Sequence, residues 1–382
     1  MKSQFSLYDL LVIIGITQGI ITSVLLLRSK KNKPSNRFLA LGLIAFCFLS
    51  LKPLLHTLDL WNTSFFRFFP NAVEVVLGPL FYFYTIALTR KSFKFNWQRH
   101  GWHFMPFIMS QTYAFVVYFS ALSTSDFSKK DTIGINLQFE LVKDIDDFIG
   151  LAMVIIYVIL GYKHLKSYKQ WLDNTTADSA YPDFRWLRNM LILFFFMACF
   201  LIVNYTMDFG FNMKSRTSIH WEAFSLFVAF LIYYLGFIGY KQPQFEFNSV
   251  APLVQEKDNH ILPANLNQEQ INKYKQAVLK ALEIDKIYLN PTLNIQEFSK
   301  ELQLNKRYVS QIINHEFKKN FRDLINVYRV EEIKERFENS DLKQISLLGL
   351  ALESGFNSEA SFYRIFKKHT GVSPKEYLAK NS

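Results

Sequence analysis

Residues 355–377 read GFNSEASFYRIFKKHTGVSPKEY, and the parsing of this stretch decides the fold of the C-terminal third. Gly355 suits the left-handed residue that ends a helix, and either Asn357 or Ser358 has the side chain to cap the next one. The helix that follows places Phe362, Ile365 and Phe366 on one face. Ser361, Arg364, Lys367 and Lys368 fall largely on the other. Gly371 stops it, and Ser373 with Pro374 opens a further short helix. Helix, glycine turn and a second helix with a basic polar face make a helix-turn-helix.

The spacing of Ala351, Gly355, Phe356, Ser361, Phe362, Arg364, Phe366, Lys367, Gly371, Pro374 and Tyr377 closely resembles the second helix-turn-helix of AraC/XylS-type transcription regulators. The resemblance covers about the last third of the chain. Upstream, Asn294 opens a second unit with Glu297 three residues on, in the manner of a capping box. Ile295, Phe298 and Leu302 supply its buried face. Asn305 then caps KRYVSQIINHEF, in which Tyr308, Val309, Ile312, Ile313 and Phe317 pack. This is similar to the family's first helix-turn-helix, with one departure: Gln303 stands where the family often has glycine. Residues 320–337, NFRDLINVYRVEEIKERF, are similar to its connector helix, whose acids Glu331, Glu332, Glu335 and Glu338 belong on the face turned from DNA. Ser346 caps the support helix of the second unit, and a further helix is predicted from Asn267 with Ile271, Tyr274, Val278 and Leu282 in register.

The resemblance implies roles for matching positions. Arg307, Ser310 and Gln311 are the base-reading candidates of the first unit, and Glu359, Tyr363 and Arg364 those of the second. Lys306, Lys367 and Lys368 are assigned to phosphate. Arg pairs with guanine in a bidentate way and Gln with adenine. Glu359 either accepts from a cytosine amino group or helps cap its helix. Two recognition helices in one chain would enter successive major grooves, about 34 Å apart. The partner implied is double-stranded DNA. The domain is only mildly basic, so two tethered copies, a homodimer, would raise affinity by avidity.

The first two-thirds have a different character. Half of the 382 residues are hydrophobic and 39 are Phe, too much apolar mass for one soluble core. It is concentrated in runs at about 7–27, 38–58, 72–88, 105–122, 148–165, 190–207 and 219–240, each near the length that crosses a bilayer. A signal peptide fits the first run less well, because that run ends directly in RSKKNKPSNR. The expectation is all-α: a polytopic transmembrane bundle of about seven helices over 1–240, a juxtamembrane linker over 241–265 containing Pro243, Pro252 and Pro263, and a cytoplasmic all-α domain with two helix-turn-helix units over 266–382.

Loop charge sets the expected orientation. Arg28, Lys30, Lys31, Lys33 and Arg37, then Arg90, Lys91, Lys94 and Arg99, then Lys163, Lys166, Lys169, Arg185 and Arg188 follow the first, third and fifth runs. The alternate segments carry about half as many cations, among them Lys129 and Lys130. The N-terminus is therefore expected outside and the C-terminal domain in the cytoplasm. The family resemblance makes the membrane a bacterial inner membrane. Lipid is thus a second partner, with Trp61, Trp97, Trp102 and Trp221 near run ends as interfacial anchors.

Lys52, His56, Glu74, Asp208, His220 and Glu222 lie within or at the edge of the runs, all toward the outer side. Ionisable groups at that depth are costly and tend to face a cavity or one another. They are the candidate pocket for an unknown signal ligand, or they pair simply to stabilise the bundle. Gly15 and Gly19 form a GxxxG that points to close local packing more than to a dimer seam. Cys47 and Cys199 sit in apolar runs as small hydrophobes. His100 and His103 read as interfacial and not as a metal pair. Walker, HExxH, GxSxG and paired CxxC motifs are missing from the sequence, so no cofactor, metal site or enzymatic activity is expected. Two rivals remain: a transporter with an appended regulatory domain, which calls for internal repeats, and an intramembrane enzyme built on the outer-side His and acidic residues.

Overall fold

The computed structural model describes residues 6–30, 33–90, 93–177, 184–213, 219–242, 266–338 and 346–381. Their regular structure is helical; no strand occurs among them, only one isolated bridge between Thr176 and Asn294. The chain divides into two compact units, Met1–Leu165 with Phe184–Ala251, and Lys166–Asp183 with Pro252–Ser382.

The first unit carries α1 (Leu7–Arg28), α2 (Lys33–Thr57), α3 (Leu77–Thr89), α4 (Trp97–His100), α5 (Met105–Leu122), α6 (Phe127–Asn136), the greater part of α7 (Phe139–Thr175), α8 (Arg185–Tyr205) and α9 (Ile219–Lys241). Among the described residues, six helical segments are long and apolar enough to cross a membrane. The sequence suggested seven. The run at 72–88 instead forms a shorter helix over Val73–Thr89, a 3-10 turn leading into α3, nearly all of it buried. The run at 148–165 is the middle of the 37-residue α7, because the polar residues on either side of it stay helical. Ile14, Phe119, Phe195, Phe230 and Tyr233 stand with more than half of their surface uncovered, an apolar exterior suited to lipid and not to water.

Close packing places the N-terminal helix. Ser6 and Asp9 form a reciprocal capping box at the start of α1, and Thr57 Oγ1 donates to Asp9 Oδ1 at 2.6 Å, pinning that start to the end of α2. The GxxxG is used within the chain: a Cβ on Gly15 would stand 3.0 Å from that of Ala229, and one on Gly19 would stand 2.6 Å from Cys47 Sγ. Both cysteines are free thiols, Cys47 buried. Lys130, counted above as an outer-loop charge, is fully buried and donates to Ser64 O at 2.8 Å. Trp97 and Trp102 are each 65 % exposed. His100 and His103 take separate partners, the Asn96 amide and the Tyr157 hydroxyl.

The second unit holds α10 (Gln268–Glu283), α11 (Ile295–Glu301), α12 (Lys306–Glu316), α13 (Phe321–Glu338), α14 (Leu347–Glu353), α15 (Glu359–Thr370) and α16 (Pro374–Asn381). Caps fall where side chains supply them: Asn267, Asn294, Asn305, Ser346 and Ser358 each accept from amides in the first turn of the helix they open. Asn294 accepts from the Gln296 and Glu297 amides, both at 3.0 Å. Ser358 is the cap of α15, and Asn357 instead donates to Pro291 O.

There are two hydrophobic cores here, both fed by α13. Phe321, Leu324 and Ile325 join Ile295, Phe298, Val309, Ile312 and Ile313 in one. Val330 and Ile333 join Leu350, Ala351, Phe356, Phe362, Ile365 and Phe366 in the other. A helix of 18 residues, about 27 Å long, thus serves two helical hairpins, one at each end. The proposed linker is represented only by Lys241 and Gln242; 243–265 lie outside the described residues, as do the loop cations Lys31 and Lys91.

Candidate nucleic-acid interface

In the first hairpin α11 supports and α12 presents. Asn305 Oδ1 accepts from the Arg307 amide at 2.9 Å, which fixes the start of α12 and sends Lys306 and Arg307 out into solvent. Neither side chain has a partner among the described residues. Val309, Ile312 and Ile313 are fully buried, which leaves Ser310 and Gln311 half-buried beside them. The face carrying Lys306, Arg307, Ser310 and Gln311 is therefore the one α12 turns from its core.

The turn between α11 and α12 shows how the chain manages without glycine. Gln303 adopts φ 53°, a left-handed conformation that a side chain makes costly by about 1–2 kcal/mol. The exposed turn tolerates it, and the hairpin forms.

In the second hairpin Gly355 (φ 87°) makes the turn between α14 and α15, and Gly371 (φ 81°) ends α15. A Cβ on Gly355 would lie 2.6 Å from Tyr288 O and 2.9 Å from Arg329 Nε, so the site excludes any side chain on steric as well as backbone grounds. Glu359 and Lys367 are exposed on α15, Arg364 is half-buried, and Tyr363 lies partly against the second core, its ring edge-on to Phe362. Two placements differ from expectation. Ser361 is only 4 % exposed: its amide and hydroxyl are drawn into the Ser358 cap, which turns this side chain inward. Lys368, assigned to phosphate, is held 2.6 Å from Asp323 on α13. Burial alone would push the Asp323 carboxyl up, but the hydrogen bond and charge of Lys368 hold it below the usual aspartate range.

A polar network ties the connector to both hairpins. Glu332 accepts from Lys286 Nζ and Tyr288 Oη, each at 2.7 Å, and its other oxygen meets Arg336 Nε at 3.3 Å. Arg336 reaches on to Glu353 of α14 at 2.6 Å. Burial would raise the Glu332 carboxyl, yet the hydrogen bonds from Lys286 and Tyr288 and the charges of Lys286 and Arg336 hold it below its ordinary value. The structure also shows what the residue-by-residue reading left out: Arg329, wholly buried on α13, which donates to three backbone carbonyls. An arginine in an amphipathic helix gives no sign in sequence that it points inward.

In the first unit the six candidate residues do not form one shared set of contacts. Lys52 pairs with Glu74 at 2.8 Å, and the second Glu74 oxygen is buried without a hydrogen bond. His220 Nε2 and Trp221 Nε1 both approach Asp208, at 2.9 and 2.8 Å. His56 stacks on Trp61, with ring centroids 5.0 Å apart. Glu222 is half-buried on α9, near Tyr8 in electrostatic reach. Tyr205 stands between the two acidic pairs: its hydroxyl donates to Asp147 O at 3.3 Å, and its ring lies 5.7 Å from that of Trp221. Asp147 in turn feels the charges of Lys52 and Glu74, while Asp146 accepts from Ser110 at 2.7 Å. Asp146 and Asp147 went unread because they fall just before the apolar run, in VKDIDD; continuation of the helix through that run was the signal available.

Two capped helical hairpins, each with its own core and bridged by one long helix, define a DNA-binding module of the helix-turn-helix class. Residues 298–380 match the profile of a family described as a helix-turn-helix domain, and this C-terminal region is an AraC-type domain. It is similar to the melibiose operon regulatory protein of Escherichia coli (strain K12), 28 % identical over 85 residues that cover 22 % of this chain and 27 % of that protein. An uncharacterized HTH-type transcriptional regulator of Staphylococcus aureus (strain MSSA476) is 25 % identical over 118 residues, 31 % of this chain and 15 % of its own. The chain thus spans about a quarter or less of the length of these relatives. No solved structure matches it.

Proposed function

We propose that this chain is a membrane-embedded one-component transcription regulator. Residues 1–240 receive a signal in or across the membrane, 241–265 connect, and 266–382 bind double-stranded DNA by sequence. The observation that carries the reading is the pairing, in one chain, of six helices apolar enough to span a bilayer with an AraC-type domain whose α12 presents Arg307 uncommitted to solvent. A relative that is named for regulating an operon supports the output.

On this reading α12 and α15 lie in successive major grooves. Lys306, Arg307, Ser310 and Gln311 approach one half of the site, and Glu359, Tyr363, Arg364 and Lys367 the other. Lys368 joins the phosphate contacts only by leaving Asp323. A cytoplasmic C-terminal domain with the N-terminus outside takes an odd number of crossings, so on this reading the shorter apolar helix Val73–Thr89 passes through the bilayer beside the six long ones, and the excess of cations after the first, third and fifth apolar runs supports that arrangement. The acidic and histidine pairs around Tyr205 are the best candidates for the signal site. Both carry a buried polar atom without a hydrogen bond, Glu74 Oε2 and His220 Nδ1, that a ligand would satisfy. Such a ligand shifts the output only by binding two states of the bundle with different affinity.

The test is selection of random DNA by the full chain in lipid nanodiscs, beside an Arg307→Ala, Arg364→Ala double variant at the same stated salt. An asymmetric motif in two blocks about one helical turn apart, lost in the variant, is the expected result. No enrichment at low salt by the full chain would remove the reading. Crosslinking in the membrane reports on the proposed homodimer, and monomers alone would count against it.

A further inference from the structure

We propose that the end of α7 is a strap that couples this spanning helix to the DNA-binding unit through Arg329. The inference rests on the regulator reading above and assigns its signal a route.

The length of α7 sets the problem. Its 37 residues extend about 56 Å, whereas the hydrocarbon core of a bilayer is about 30 Å thick. Roughly half of the helix has no membrane to cross, and residues from Lys166 on group with the C-terminal unit. Among the described residues, α8 and α9 are the two candidate spans between that end and the C-terminal domain. Two crossings return the chain to the side it left, so both parts emerge on the same face of the membrane whichever way the protein is inserted.

Past its last turn the chain becomes extended and adds itself to the first hairpin. Thr176 bridges Asn294, the residue that caps α11. The Ala177 amide donates to Leu293 O at 3.0 Å, and the Ala177 methyl is wholly buried in the core that contains Leu293, Ile295 and Phe298. The Ala177 carbonyl then accepts from Arg329 Nη1 at 2.9 Å, across 152 positions of sequence.

Arg329 makes the contact matter. Its guanidinium is fully buried, with Nε on Tyr288 O at 2.8 Å and Nη2 on Asn290 O at 2.7 Å. It also lies 5.9 Å from the centroid of Phe356, in the turn of the second hairpin. A cation removed from water holds its place only while its donors are met. The strap supplies one of the three carbonyls; the lead-in to α11 supplies the other two. Withdrawing the strap strips a partner from a buried charge and so loosens the lead-in and the cap of α11, where the other two carbonyls lie. A pull or rotation of α7 thereby acts on the first hairpin and leaves the core of the second in place.

Hydrogen exchange on the full chain in nanodiscs tests this. Ala177→Asp places a carboxylate in the core and should expel the strap. The amides of 287–294 are expected to exchange at least about tenfold faster, with those of α15 within about twofold of wild type. Affinity for the DNA motif selected by the wild type should shift at least about fivefold. Ala177→Gly, which removes only the methyl, guards against simple unfolding and should give the same pattern at about two- to threefold. Unchanged exchange at 287–294 in Ala177→Asp overturns the proposal. So does equal acceleration of α15 in both variants, which would make Ala177 ordinary core, and so does an unaltered DNA affinity. If the wild type selects no DNA, the regulator reading fails and takes the signal route with it; the exchange data still decide whether the strap is docked on Arg329.

Discussion

The two hairpins make the same turn with different residues, and the difference shows what each is attached to. Gln303 and Gly355 both adopt left-handed backbone. Around Gln303 the turn is exposed, so the only cost of a side chain is local strain. Around Gly355 the Tyr288 and Leu289 carbonyls and Arg329 close in to 3.0 Å or less of where a Cβ would stand. The first turn is free-standing. The second is wedged against the lead-in of the first hairpin, with Arg329 between them. Two motifs that look like repeats in sequence are therefore unequal parts of one body.

Replacing the shared group should hurt most. Arg329→Met is expected to destabilise the C-terminal unit by roughly 4 kcal/mol, because three buried carbonyls lose their donor. Chemical denaturation of the full chain, followed at that unit, measures it; a loss under about 1 kcal/mol would mean the hairpins are not joined there. Gly355→Ala should cost about 3 kcal/mol through backbone strain plus collision with a carbonyl that cannot swing away.

The two recognition helices should also behave unequally toward DNA. Arg307→Ala is expected to weaken specific binding about 10- to 100-fold and to relax preference at one base position. Lys367→Ala should lower the salt dependence by about one phosphate contact at all sequences. Lys368→Ala should do less, since its ammonium is already spent on Asp323. Equal slopes for the two lysine variants would show that the Asp323 pair opens on DNA.

Smaller effects sharpen the contrast between the turns. Gln303→Gly should stabilise the unit by about 1 kcal/mol, relieving strain in a place where nothing packs. Acid should act mainly through the connector. Glu332 and Asp323 have folded-state carboxyls held below their ordinary values of 4.5 and 3.8. Their contribution to stability is complete above those values and is lost as pH falls through the lower folded ones. Thermal melting followed from pH 6 to about pH 3 should decline, and Glu332→Gln should flatten the decline.

Much of this was legible in the residues. Caps at Asn294, Asn305 and Ser346, the apolar periodicity of α12 and α15, and the glycine stops are local chemistry, decided within a few positions of chain, and the helices follow them. The apolar runs, too, announce helices that can span a bilayer, because length and composition alone are the criterion. Residues that depend on distant neighbours were not readable. Ser361 turned inward, Lys368 found Asp323, and Asp146 and Asp147 joined the polar group around Tyr205 from outside the run. Hydrophobic periodicity identifies a buried face by its average and is silent about a single charge that a fold chooses to enclose. Arg329 is such a charge, and its partners lie 39, 41 and 152 positions away. Sequence alone determined the capped helices of the C-terminal unit, their ends and the class of module they build. Tertiary structure decided which polar groups meet, and that the carbonyl of Ala177, just beyond the end of α7, is one of them, because a buried cation takes whatever oxygen the packed chain brings within reach.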